Sequence, residues 1–202
     1  MNYYISDLHF GHKNILRFDH RNHDTVEEME ADLIQRWNSQ VTNGDHIYVL
    51  GDFLWKASSD EWLRILRKLN GNIHLILGNH DPKQYSTEVK KVLAEITPYK
   101  ELNEKVDGKD YRLILSHYAI LSYYGSCYPN SFHLHGHTHM TSEQSLVEEF
   151  AKIAKEKLAQ SDNPYQNRGQ MINVGCMMPY MNYTPQTFEY LLMKYKKGET
   201  RA

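Results

Sequence analysis

The chain has 202 residues, 41% of them hydrophobic and 24% charged, with a formal net charge of -2 and a pI near 6.6. A chain of that length and composition is expected to form one domain over 1–202 with its own core. No apolar stretch approaches the ~18 residues that span a bilayer, the charge balance gives no global pull toward nucleic acid or anionic membrane, and Cys127 and Cys176 lack zinc or CxxC spacing and read as reduced thiols.

In chain order, Tyr3-Tyr4-Ile5-Ser6 reads as a buried strand that ends in Asp7 and His9. Nothing before it resembles a signal peptide, so a cytoplasmic location is expected. After the loop Phe10-Gly11-His12, Thr25 and Glu28 form a capping box for a helix whose Val26, Met29, Leu33, Ile34, Trp37 and Val41 recur at helical spacing. Asn43-Gly44-Asp45 stops that helix, and Ile47-Tyr48-Val49-Leu50-Gly51 forms a second strand ahead of Asp52. Ser59 is expected to cap a helix with Trp62, Ile65, Leu66 and Leu69 on one face, and Asn70-Gly71 ends it. A third strand, Ile73 through Leu77, then leads to Gly78-Asn79-His80-Asp81. This strand–helix–strand alternation predicts α/β layering.

A helix over 87–96 comes next, followed by a hairpin of 101–106 and 111–116 around Asp107-Gly108 that delivers His117. The segment that starts at Ser131 ends in Gly136-His137-Thr138-His139. A helix over 142–160 and a loop over 161–164 form a helical insertion at about 142–164, placed either to cover the site or a neighbouring subunit, or simply to pack on its own sheet. A strand over 171–176 and a helix over 184–195 complete the chain.

Five of the apolar runs therefore lead to an acidic, amide or imidazole side chain, and the carboxyl edge of an α/β sheet is where such residues converge. The chain is rich in histidine and tyrosine, with 12 and 15, and the strand ends collect four imidazoles (His9, His117, His137, His139), two carboxylates (Asp7, Asp52) and one carboxamide (Asn79) without a thiolate. That donor set suits Mn, Fe, Ni, Zn or Mg better than a structural zinc. Seven ligands exceed one tetrahedral ion and suit two ions that share a carboxylate. Two such ions can hold a water-derived hydroxide and clamp the attacking and leaving oxygens of a displacement at phosphorus.

In this ordered set of blocks, Asp7-x-His9, Gly51-Asp52, Gly78-Asn79-His80-Asp81, His117 and Gly136-His137-x-His139, the sequence resembles the calcineurin-like metallophosphoesterase superfamily. The stretches 7–15 and 134–137 look most like a small bacterial and phage subgroup. The resemblance implies a four-layer α/β/β/α sandwich with two mixed β-sheets. It implies two divalent metal ions, manganese foremost, one held by Asp7, His9 and His139, the other by Asn79, His117 and His137, with Asp52 as the bridge. It gives His80 the role of protonating the leaving oxygen and Asp81 that of orienting the His80 ring. Gly51-Asp52-Phe53-Leu54-Trp55-Lys56 departs from the Gly-Asp-x-x-Asp-Arg-Gly of protein phosphatases, which argues against protein-phosphatase specificity and leaves the ligands untouched.

The expected activity is therefore hydrolysis of phosphodiester or phosphomonoester bonds in a small phosphorylated substrate such as a nucleotide. Nucleic acid is disfavoured by the charge balance, and a catalytically silent scaffold of the same fold is the rival reading outside enzymes. His12, Asn14 and Arg17 lie just past the first block and read either as substrate contacts or as a capping and packing cluster. Tyr118, Tyr123 and Tyr124 lie between two ligand blocks and read as base-stacking residues, Tyr123 among them, or as rim packing. His133 and His135 stand in phase with His137, but Gly136 interrupts the alternation, so both read as core or supporting residues. His20, His23, His46 and His74 have no ligand-like context.

Overall fold

The computed structural model describes residues 1–158 and 166–200; the expected loop over 161–164 and the end of the expected helix at 159–160 lie outside the described residues. In chain order the first half comprises β1 (Asn2–Ile5), α1 (Ile15–Phe18), α2 (Val26–Gln40), β2 (His46–Val49), α3 (Ser59–Leu66), β3 (Asn72–Ile76), α4 (Thr87–Val92) and β4 (Glu95–Thr97). The second half comprises β5 (Lys100–Val106), β6 (Lys109–Leu115), β7 (Ser131–His135), α5 (Ser142–Leu158), β8 (Met171–Asn173), β9 (Gln186–Thr187) and α6 (Phe188–Lys197).

Two mixed sheets result, β4-β3-β2-β1-β9 and β5-β6-β7-β8, in the α/β/β/α arrangement. The first is parallel apart from β9, and the second is parallel apart from the β5–β6 hairpin. Side-chain alternation explains how the second sheet is buried on both faces. Leu113, Leu115, Leu134 and Ile172 belong to the large core shared with the first sheet. Ile114 and Met171 point the other way and pack with Tyr123 and Val147 in a second cluster.

The capping box of α2 forms as its sequence dictates, with Glu28 N donating to Thr25 Oγ1 at 3.2 Å and Thr25 N donating to Glu28 Oε2 at 3.3 Å. The cap of α3 falls one residue earlier than expected. Ser58 rather than Ser59 pairs with Glu61, whose Oε2 accepts from Ser58 N at 2.7 Å, because the box needs a spacing of three.

The expected helix over 87–96 ends at Val92, and Glu95–Thr97 pairs with β3 instead. Val89, Leu93 and Ile96 fit helical spacing, but the open edge of β3 offers a row of unpaired backbone groups, and tertiary pairing outweighs local preference. The helix expected over 184–195 starts at Phe188, since Gln186–Thr187 first pairs with Tyr3 and Tyr4. Of the apolar residues on α5, Val147 and Ala154 are buried, whereas Leu146 and Ile153 are exposed. Among the described residues no helix is long and apolar enough to cross a membrane.

Candidate metal centre

Because β1, β2 and β3 run parallel, their carboxyl ends share one edge, and Asp7, Asp52 and Asn79 leave it together. The chain then zips loop to loop: Asp7 N donates to Gly51 O at 3.1 Å, His9 N to Asp52 O at 3.0 Å and Phe10 N to Phe53 O at 3.0 Å. A bridge from Ser6 to Gly175 joins the two sheets here, bringing the ends of β6 and β7 with His117 and His137 alongside.

Sharp backbone bends aim these side chains. Asp7, His9, Asp52, His137 and His139 all adopt left-handed φ values of 56°, 51°, 53°, 69° and 48°. Such values are rare for residues with a Cβ and cost on the order of 1–3 kcal/mol each, and they collect at functional sites. Close approach adds two glycine requirements. A Cβ on Gly78 would lie 2.6 Å from Asp52 N, and one on Gly136 would lie 2.8 Å from Ser6 Cβ and closer still to Ser6 Oγ and Asp7 Oδ2.

The side chains meet in two groups. In the first, His139 Nε2 lies 3.6 Å from Asp7 Oδ1 and 3.4 Å from His9 Nε2. In the second, His117 Nε2 lies 2.9 Å from Asn79 Oδ1, and the His137 ring packs edge-on to that of His117, centroids 5.0 Å apart. Asp52 Oδ2 sits between the groups, 3.6 Å from both His9 Nε2 and His117 Nε2. The Asp7 carboxylate also reaches both, lying within one potential ligand set with His9 and His139 and within another with Asp52 and His117. Asp7, His9, Asp52 and His117 are all almost fully buried.

His80 stands at the edge of this centre, exposed, with its Nε2 3.9 Å from Asp52 Oδ2 and its ring against Trp55. Asp81 does not orient that ring. Its carboxylate is buried and accepts backbone N–H bonds from Gly78 at 2.8 Å, Asp52 at 2.9 Å and Phe53 at 3.1 Å, so it clamps two ligand loops together. Burial pushes its pKa up to about 6 despite those donors.

Of the residues expected to touch substrate, His12 is buried and stacked on Trp55 with ring centroids 3.8 Å apart, its ring 5.4 Å from that of His9. Asn14 is the exposed N-cap residue of α1, and Arg17 is exposed with its guanidinium over the Phe18 ring. Tyr123 is turned away from the centre: it is buried, and its hydroxyl donates to Gln170 O at 3.0 Å and to Ser131 O at 3.3 Å. Adjacency in sequence to His117 does not carry it to the cleft, because its ring fills the second core cluster. Tyr118 does border the centre, its half-exposed ring 4.7 Å from that of His137. His133 and His135 are buried, and burial lowers their pKa values to about 4 and about 3.

Three participants carry no sequence signal. Trp55 fits a core residue by pattern, yet it lies between His12 and His80. Asp19 and Arg21 sit in a polar run that reads as surface, yet Arg21 is buried and donates to the carbonyls of Asp7 and Leu8, both at 2.8 Å.

A family model for the calcineurin-like phosphoesterases matches residues 3–171, which covers every one of these blocks. The chain belongs to the calcineurin-like phosphoesterase family. It is 29% identical over 198 residues to the uncharacterized protein MJ1445 of Methanocaldococcus jannaschii, covering 98% of this chain and 92% of that one. It is also 39% identical over 97 residues to the Gene 66 protein of Mycobacterium phage L5, 46% of this chain and 45% of that one. Its fold is similar to that of a protein of unknown function, AQ665, from Aquifex aeolicus, with a TM-score of 0.65, 25% identity and coverage of 96% and 98%.

As expected of a calcineurin-like phosphoesterase, the donor set suits divalent cations, and the histidine tautomers show why. His117 Nδ1 faces the Leu50 carbonyl at 2.8 Å and must donate to it, which leaves the Nε2 lone pair facing Asp52 and Asn79. His139 Nδ1 likewise donates to Asp19 Oδ1 at 2.7 Å, which turns its Nε2 toward Asp7 and His9, and against the lowering effect of burial the two carboxylates raise its pKa. Burial pushes the His9 pKa down and the Asp52 pKa up, the latter against the opposing pull of His117. Lone pairs and carboxylate oxygens at such spacings repel one another, and a divalent cation between them removes the repulsion.

Proposed function

We propose that this chain is a dinuclear metal-dependent phosphoric ester hydrolase acting on small phosphorylated molecules such as nucleotides. The observation that carries the reading is the convergence of Asp7, His9 and His139 on one side of Asp52 and of Asn79 and His117, with the His137 ring beside them, on the other. When bound, two divalent cations, manganese foremost, supply Lewis acidity toward the phosphoryl oxygens and make water a better nucleophile at neutral pH.

The chain's own residues supply the rest. Asp52, shared between the two groups, fixes their relation, and His80 N donates to Asp52 Oδ1 at 2.9 Å, which ties the acid to the bridge. His80 Nε2, open to solvent, delivers a proton to the leaving oxygen. Asp81 holds the Gly78 and Asp52 loops at a common height, and the Trp55–His12 stack walls one side of the cleft. A net charge of -2 supports a small substrate over nucleic acid, whose binding draws on many Lys and Arg contacts.

Hydrolysis of nitrophenyl phosphate and of bis-nitrophenyl phosphate, assayed with Mn, Ni, Mg and Zn, tests this reading. Turnover that depends on added metal and is lost in Asp52→Asn is expected. His80→Ala should bind the same metal with turnover about 10²–10⁴-fold slower, the range for loss of a positioned proton donor. Bound metal without turnover on either ester would make the chain a scaffold.

A further inference from the structure

Three imidazoles of the centre, His9 and His117 buried and His139 partly so, differ in what lies behind them. His9 Nδ1 is buried with no hydrogen-bond partner among the described residues. His117 Nδ1 donates to a neutral carbonyl, that of Leu50. His139 alone of the three has a carboxylate behind it, Asp19 Oδ1 at 2.7 Å. A carboxylate behind a ligand histidine fixes its tautomer and makes its outer nitrogen a stronger donor than a carbonyl does.

Asp19 is itself fixed. Its second oxygen, Oδ2, accepts from Arg21 Nη2 at 2.9 Å and from Nε at 3.2 Å. Arg21 is anchored in turn by the carbonyls of Leu8 and Asp7, so one buried guanidinium joins the backbone of the first block to the imidazole of the fifth. Neither charge carries out the chemistry, and burying the pair needs a compensating purpose, since a buried ion pair is a weak stabiliser by itself. The brace reaches only the Asp7, His9 and His139 side of the centre. On the other side, His117 is backed by the neutral Leu50 carbonyl, and its Nε2 meets Asn79 Oδ1 and Asp52 Oδ2.

We infer that Asp19, clamped by Arg21, is a positioning residue for His139 that makes the two metal sites unequal, so that the ion held by Asp7, His9 and His139 binds first and more tightly. The inference rests on the dinuclear reading above. Asp19 holds the proton on His139 Nδ1, keeps Nε2 aimed at Asp7, and adds negative charge behind the imidazole.

Calorimetric titration of the metal-free full chain with MnCl2 tests it, with thermal melting as the folding control. The wild type should fill in two resolved steps. Asp19→Asn, which keeps the size of the side chain but loses its charge, should weaken the tighter step about 10–100-fold, the range for loss of such a partner, and change the weaker step less than about threefold. Asn79→Ala should weaken the other step. Should Asp19→Asn fail to fold, ¹⁵N NMR of the wild type loaded with one equivalent of Zn provides an independent signature: His139 protonated on Nδ1 and not on Nε2. Two wild-type steps that Asp19→Asn leaves unchanged, loss in the same step as Asn79→Ala, or an Nε2–H tautomer would overturn the inference alone. Failure of the wild type to bind any Mn would overturn the dinuclear reading with it.

Discussion

Replacing Gly136 with alanine places a methyl carbon 2.8 Å from Ser6 Cβ, where carbon atoms ordinarily rest about 3.5–4.0 Å apart, and still nearer to Ser6 Oγ and Asp7 Oδ2. Ser6 and Asp7 must retreat by about 1 Å, and forced expansion of a packed interior costs on the order of 1–3 kcal/mol. The retreating Asp7 carboxylate also loosens its bonds from His137 N, now 3.1 and 3.2 Å, and from the Ser6 hydroxyl. A total near 3 kcal/mol lowers Tm by about 6–12 °C for a chain of this size. Because Asp7 reaches both ligand groups, Mn affinity should fall at both steps of a calorimetric titration. Adding Ser6→Gly removes the Ser6 contacts but not the Asp7 contact, so it should restore part of the Tm and little of the affinity. Gly44→Ala, with open space around its Cβ, is the matched control and should change neither. A Gly136→Ala protein with wild-type Tm and Mn affinity would refute the packing of Gly136 against the centre.

His133 makes metal-free stability pH dependent. Burial lowers its pKa to about 4 from 6.5, while Nδ1 donates to Ile114 O at 3.0 Å and Nε2 accepts from Ile120 N at 3.0 Å. The unfolded chain therefore takes up a proton that the folded chain refuses between pH 6.5 and 4. The contribution is complete above pH 6.5 and falls by up to about 3 kcal/mol as pH drops toward 4. Urea unfolding in EDTA across that range should show His133→Gln losing about one proton from the wild-type slope; an unchanged slope would contradict the assignment. Tyr123→Phe removes a buried hydroxyl that serves packing, so it should cost about 1 kcal/mol of stability and leave KM for a nitrophenyl ester unchanged. A KM shift above threefold would put Tyr123 back at the cleft.

Much of the architecture is legible in the sequence because the same apolar runs that make strands also end in ligands. Asp7, Asp52, Asn79, His117 and His137 each follow such a run, and parallel pairing gathers them at one edge. What is not legible depends on non-local partners. Gln186–Thr187 is a strand only because Tyr3 and Tyr4 lie open beside it, and Glu95–Thr97 only because β3 has a free edge. Asp19 and Arg21 look like surface charges, and only the Asp7 and Leu8 carbonyls and the His139 imidazole explain their burial. The left-handed backbone at Asp7, His9, Asp52, His137 and His139 leaves only a weak trace in residue type, since Asp and His enter that region more readily than most residues but seldom do so. Tyr123 shows the reverse failure, where proximity in sequence suggests a site contact and side-chain direction denies it.

Anomalous diffraction from crystals grown with Mn tests the dinuclear centre most directly. Two peaks about 3.5–4 Å apart are predicted, one against Asp7, His9 and His139, the other against Asn79, His117 and His137, with Asp52 touching both. A single peak, or two peaks that do not share Asp52, would contradict the account.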